Sequence, residues 1–198
     1  MLNRGFANAY ALLGNSWSAI NLISVQTQQQ TQQTEPLPSK ENLRKLITRR
    51  QDLNNKECRK FLEDVLKNLK IGGTIEELYD KFIKKHGFVE TGTAGGYSDG
   101  GKGNIMLPTL QAATNDSERY QKQMRFVGVV IHELFHRAGK SHSDMAKAAY
   151  DALSEAEKST TVRPKGDAAS STFMSQQMND KCKIDIYNAQ EVKANVIP

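Results

Sequence analysis

The 198-residue chain has only two cysteines, Cys58 and Cys182, and only four histidines. Neither cysteine has a C-x-x-C partner, which argues against a cysteine zinc site. From the residues alone the two are either buried thiols or one bridge closing a long loop, and a bridge would imply an oxidising compartment. No stretch approaches about 18 uninterrupted apolar residues, so no membrane span is expected. A clustered basic stripe is also missing. The 27 basic residues outnumber the 22 acidic ones, but they are scattered, as in ITRRQ, KFIKKHG and VRPKG, without interleaved aromatics. A nucleic-acid surface usually shows such a stripe, so no nucleic-acid partner is expected and the charge reads as a solvated face. GGYSDGGKG is glycine-dense yet lacks the GK[ST] ending of a phosphate loop, and it reads as a flexible loop beside a cleft. No internal repeat is visible.

What is present suits one domain of ordinary size with a separate arm. Residues 1–24 hold Arg4 and a weak apolar stretch, AYALLG, but Asn8, Asn15, Ser16, Ser18 and Asn21 interrupt it and no A-x-A site follows. This is a poor signal peptide, and it reads as an amphipathic arm or the trailing end of a larger precursor. Residues 25–38 are Gln/Thr-rich and end in Pro-x-Pro, a composition too polar to offset its ordering entropy, so a disordered linker is expected. The folded domain is expected over 39–198.

Apolar spacing at three and four predicts a first helix over 39–51 through Leu43, Leu46 and Ile47. A second, over 55–69, carries Cys58, Phe61, Leu62, Val65, Leu66 and Leu69 on one face. Thr74 and Glu77 form a capping box that opens a third, with Gly87 as its C-cap. Two short extended runs follow, 88–91 and 104–109, read as a hairpin or small antiparallel sheet, with Pro108 marking the second as an edge. RYQKQMRFVGVVIHELFHRAG is the longest helical pattern, apolar nearly all round at its centre, and Gly139 ends it. Ser143 is expected to cap the next helix, DMAKAAYDALSEAEK. Met174, Met178 and Cys182 stand at i, i+4 and i+8 in the last. The fold class expected is α+β, mostly helical, with a small antiparallel sheet.

Three of the four histidines fall between 132 and 142. On a helix, residues four apart lie on one face, so His132 and His136 can aim two nitrogens at a single ion. Glu133 is turned about 100° away, poorly placed to ligate but well placed to touch a water on a metal. Gly139 lets the backbone turn so that His142 can return to the same ion. HELFHRAGKSH matches H-E-x-x-H-x-x-G-x-x-H at every fixed position.

Over residues 132–142 the chain resembles the zinc-dependent metallopeptidases called zincins, and specifically the long zinc signature of the metzincin clan. The resemblance implies a zincin-like domain with an active-site helix, Zn²⁺ held by His132, His136 and His142, and Glu133 as general base. It further implies an edge strand lining the cleft, a place NIMLPT could take, and a methionine turn below the metal. Met174 stands at a suitable distance for that turn, although its spacing reads as an amphipathic helix. Asp144 is the alternative third ligand; its other reading is a charge favourable to a helix N-terminus. A looser resemblance spans residues 55–182, to uncharacterised zincin-like modules at the C-termini of bacterial secreted or Rhs-type proteins. It implies that Cys58 pairs with Cys182, that the domain belongs to a larger precursor polypeptide, and that it is secreted or extracytoplasmic.

Plainer readings stand beside these. His132 and His136 also fit surface histidines on an amphipathic helix. A metal could be structural, with Asp144 closing the site, or the module could be toxin-like with a vestigial site. His86 suits a helix C-terminus. Tyr97, Tyr150 and Tyr187 are candidates for stabilising an oxyanion, but tyrosine is more often ordinary packing and none is singled out. The function expected is zinc-dependent hydrolysis of a peptide or protein substrate, or of another amide such as a cell-wall peptide.

Overall fold

The computed structural model describes residues 34–85, 87–90 and 104–183, all within one compact unit. Four short strands and seven helices occur there, confirming an α+β chain dominated by helix. The arm, residues 25–33 of the expected linker, His86, Tyr97, the GGYSDGGKG loop and Tyr187 lie outside the described residues.

Residues 34–38 of the expected linker are described, and two of them form a strand. Thr34–Glu35 (β1) pairs antiparallel with Leu110–Gln111 (β4). The composition rule fails here because the anchor is polar: Glu35 Oε1 accepts from Arg119 Nε and from the Ala113 N–H, both at 3.3 Å. Lys40–Gln51 (α1) opens on Ser39, whose hydroxyl accepts the Asn42 N–H. Glu57–Asn68 (α2) buries Cys58, Phe61, Leu62, Val65 and Leu66 on the stripe that the sequence spacing gives. At Ile75–Lys85 (α3) the capping box is formed, with Thr74 N–H donating to Glu77 Oε2 at 2.9 Å and Glu77 N–H to Thr74 Oγ1 at 3.2 Å.

The small sheet corrects an expectation. Phe88–Glu90 (β2) and Ile105–Leu107 (β3) pair in parallel, Phe88 opposite Ile105 and Glu90 opposite Leu107, rather than as a hairpin. A tight turn of two to five residues would force antiparallel pairing, whereas residues 91–104 supply the dozen or so that a parallel return needs. Pro108 follows β3, outside the ladder. Ile105 and Leu107 are fully buried, and β3 packs against Asp116–Arg137 (α4).

α4 is the spine. Its N-cap Asn115 accepts the Glu118 N–H, and its inner residues Met124, Val127, Ile131, Leu134 and Phe135 are fully enclosed. α1 and α3 pack on it. Arg50 of α1 is wholly buried against it: one guanidinium nitrogen donates to the Met124 carbonyl, another to Asn179 Oδ1 at 3.1 Å. Burial pushes Arg50 down to about 10, still well above neutral, so the charge persists in the core. Gly128 admits it, because a Cβ there would meet Arg50 Nη2 at 3.1 Å. Helix propensity alone would favour Gly128→Ala by about 1 kcal/mol. The guanidinium is held at both ends and cannot give, so a net loss of about 1–2 kcal/mol is expected in urea unfolding. Unchanged or raised stability would mean that the contact carries no strain.

His142–Asp151 (α5), Glu155–Thr160 (α6) and Asp167–Cys182 (α7) follow among the described residues, α5 packing on α2 and α7. The cap expected at Ser143 sits at Ser141, whose hydroxyl accepts the Asp144 N–H while Asp144 receives the Ser141 N–H in return. A second capping box, Ser154 with Glu157, splits the expected single helix in two. Met174 lies in the middle of α7, fully buried, with Met178 and Cys182 on the same face. The helical spacing prevails there, and no methionine turn forms. Cys58 and Cys182 are joined in a disulfide that ties α2 to α7.

Candidate metal centre

The last two turns of α4 carry His132, Glu133 and His136, and His142 is the first residue of α5. The turn between the helices brings the third ring back. Gly139 has φ +77°, a left-handed conformation that a side chain would oppose. Its N–H donates to the His136 carbonyl at 2.9 Å and the Lys140 N–H to Phe135 O at 3.1 Å, the paired bonds of a Schellman motif. The cap at Ser141 then starts α5 one residue before His142, which fixes that ring on the side of α4.

The three rings converge. Their centroids are 4.8, 5.2 and 4.6 Å apart, and one ligand nitrogen from each lies within 4.8 Å of the others. His132 Nε2 and His136 Nε2 are 3.1 Å apart. Two nitrogens at 2.0–2.1 Å around a tetrahedral ion stand about 3.3 Å apart, so this pair has the spacing of a shared cation. The group can therefore hold a metal ion.

Two of the rings are oriented from behind. His136 Nδ1 lies 2.8 Å from the Lys140 carbonyl, so Nδ1–H donates there and Nε2 is left with its lone pair facing the cluster. His142 Nδ1 is 2.9 Å from Asp167 Oδ2 at the start of α7. His132 Nδ1 is buried and has no hydrogen-bond partner. The donor set is thus three imidazoles, with no fourth histidine, cysteine or carboxylate in the group among the described residues. Asp144, the alternative third ligand, is not in it; its carboxylate is taken up by the Ser141 N–H at 3.0 Å and hydroxyl at 2.7 Å. Tyr150 lies on α5, partly buried against the core.

Sequence reasoning missed Asp167 and the Lys140 carbonyl. Asp167 sits in what reads as a polar loop, and nothing local marks a residue 25 positions from its partner. Asp167→Asn is expected to weaken metal binding by roughly tenfold, the lower end for an outer partner because this carboxylate is largely exposed. Competition with a calibrated chelator measures it, and an unchanged affinity would show that Asp167 does not orient His142.

Burial dominates the electrostatics. His132 falls from 6.5 to about 4, first through desolvation and then through repulsion by His136 and His142. His136 is lowered for the same first reason, against the pull of the Lys140 carbonyl. Glu133, buried with its Oε2 unpartnered, is pushed up from 4.5 to about 7 by desolvation. These two shifts act oppositely on metal-free protein. Folded His132 refuses a proton that the unfolded chain takes, so its contribution is complete above pH 6.5 and lost as pH falls toward 4. Folded Glu133 keeps a proton that the unfolded chain releases, so its contribution is complete below 4.5 and lost as pH rises toward 7. Glu133→Gln removes the second slope and leaves the first. In chelator, variant minus wild-type stability is expected to grow by roughly 2–3 kcal/mol between pH 4.5 and 6.5. A difference independent of pH would mean that Glu133 titrates normally.

No protein-family model matches the chain, and neither a curated protein nor a solved structure matches it.

Proposed function

We propose that the chain is a zinc-dependent peptidase, a reading carried by one observation: three imidazoles converge beside a buried glutamate. His132, His136 and His142 would hold the ion. Three protein ligands without a fourth is the pattern of catalytic zinc sites, whereas structural sites are closed by four. Zinc bound there would polarise a substrate carbonyl and bring the pKa of a water toward 7. Glu133 accepts the proton of the attacking water and returns it to the leaving amine nitrogen as the C–N bond breaks. The resemblance of HELFHRAGKSH to the metzincin signature supports the same assignment. The Cys58–Cys182 disulfide supports a secreted or extracytoplasmic setting, because such bonds persist where the surroundings are oxidising.

Metal analysis of protein prepared without chelator, followed by profiling against a mixed peptide library, tests the reading. About one zinc per chain with cleavage lost in chelator and restored by zinc is the expected result. Zinc-loaded protein that leaves every peptide intact would overturn it in favour of a module that binds metal without hydrolysis.

A further inference from the structure

The turn that ends α4 has a second face. Its Lys140 carbonyl holds His136, and its Ala138 and Lys140 also wall a cavity of about 320 Å³ formed with residues 70–72, which follow α2, and with α3. Ile71, Phe82 and Ala138 give the cavity apolar walls that rest on the core. Lys70, Lys81 and Lys140 bring three positive charges to it. The acid among them, Glu77, already accepts the Thr74 N–H in the α3 capping box.

Six other lysines among the described residues, Lys45, Lys60, Lys122, Lys147, Lys158 and Lys181, are held in salt bridges. Lys70, Lys81 and Lys140 are in no salt bridge among the described residues, Lys140 acting on Asp144 only at longer range, and the Lys81 ammonium rests 5.4 Å from the centre of the Phe82 ring. A cavity with an apolar wall and three cations against one carboxylate is complementary to a short aliphatic stem ending in an anion. One wall, Ala138 and Lys140, belongs to the turn that joins the second and third candidate ligands, which sets the cavity next to the histidine cluster.

We propose that this cavity is a substrate subsite that selects a carboxylate, specifically the side chain of a glutamate near the cleaved bond. Its methylenes lie on Ile71 and Phe82, and its carboxylate meets Lys70, Lys81 and Lys140. The proposal deepens the peptidase reading and rests on it for the word substrate, but binding can be measured without hydrolysis.

The test uses the full chain with and without zinc. The probes are fluorescent peptides, acetylated and amidated, that differ only in Glu or Gln at one position. A third arm carries Gln and a free C-terminal carboxylate. By anisotropy the Glu peptide is expected to bind roughly fivefold tighter than the Gln peptide at low salt. The preference is expected to vanish in the double variant Lys70→Gln/Lys81→Gln, whose circular dichroism should match wild type. Equal binding of Glu and Gln peptides, or a preference that survives the double variant, overturns the subsite. A preference carried only by the free C-terminus overturns the side-chain assignment. Glu-selective binding without cleavage of any peptide sinks the peptidase reading and leaves the subsite standing. Cleavage without charge preference does the reverse.

Discussion

Glu133→Gln is expected to cut peptide hydrolysis by about a hundred- to ten-thousand-fold while leaving zinc content unchanged. Glutamine keeps the shape of the side chain, so the packing of α4, in which Glu133 is only 4% exposed, survives the change. What it loses is the ability to accept a proton. His132, His136 and His142 are untouched, so the ligand group stays intact. Turnover on the best library peptide, measured beside metal content on the same preparation, separates the two effects. Retained turnover within a few-fold would remove Glu133 from the mechanism. Loss of zinc together with activity would make it a structural neighbour of the site.

Cys58→Ala/Cys182→Ala is expected to cost about 4 kcal/mol and to lower the unfolding midpoint by roughly 10 °C, the size of effect that a long closed loop gives. The sequence separation is 124, and both half-cystines are buried. Alanine is the better replacement because serine would bury a hydroxyl in the same place. The bond pins the far end of α7, whose first residue is Asp167, so metal affinity should weaken together with stability. Thermal unfolding with and without reductant checks this. An unchanged midpoint would mean that packing between α2, α5 and α7 already holds the helices.

The helices and the histidine pair on α4 were legible because both depend on local spacing. Cys58, Phe61, Leu62, Val65 and Leu66 recur at the helical period, and His132 and His136 stand one turn apart. The direction of strand pairing was not legible: FVE and IML are short runs with the same texture in either sense, and the length of chain between them decides. Ser141 and Ser143 both look like caps. The reciprocal bonds with Asp144 choose Ser141, and the same bonds draw Asp144 away from the ligand role that the sequence also offers it. Asp167 was invisible because its meaning arises only when α7 packs on α5. The strand at Thr34–Glu35 was hidden by a composition rule that counts apolar burial and overlooks an ion pair with Arg119.

The candidate ligands, Glu133 and Asp167 all fall between the two half-cystines in sequence. The bridge therefore closes a covalent ring around the entire centre. One backbone cut inside the ring, whether by a foreign protease or by a second copy of this chain, opens the circle without parting it. Every nicked molecule runs as a single band until thiol is added, and the fragments that then appear map the cut.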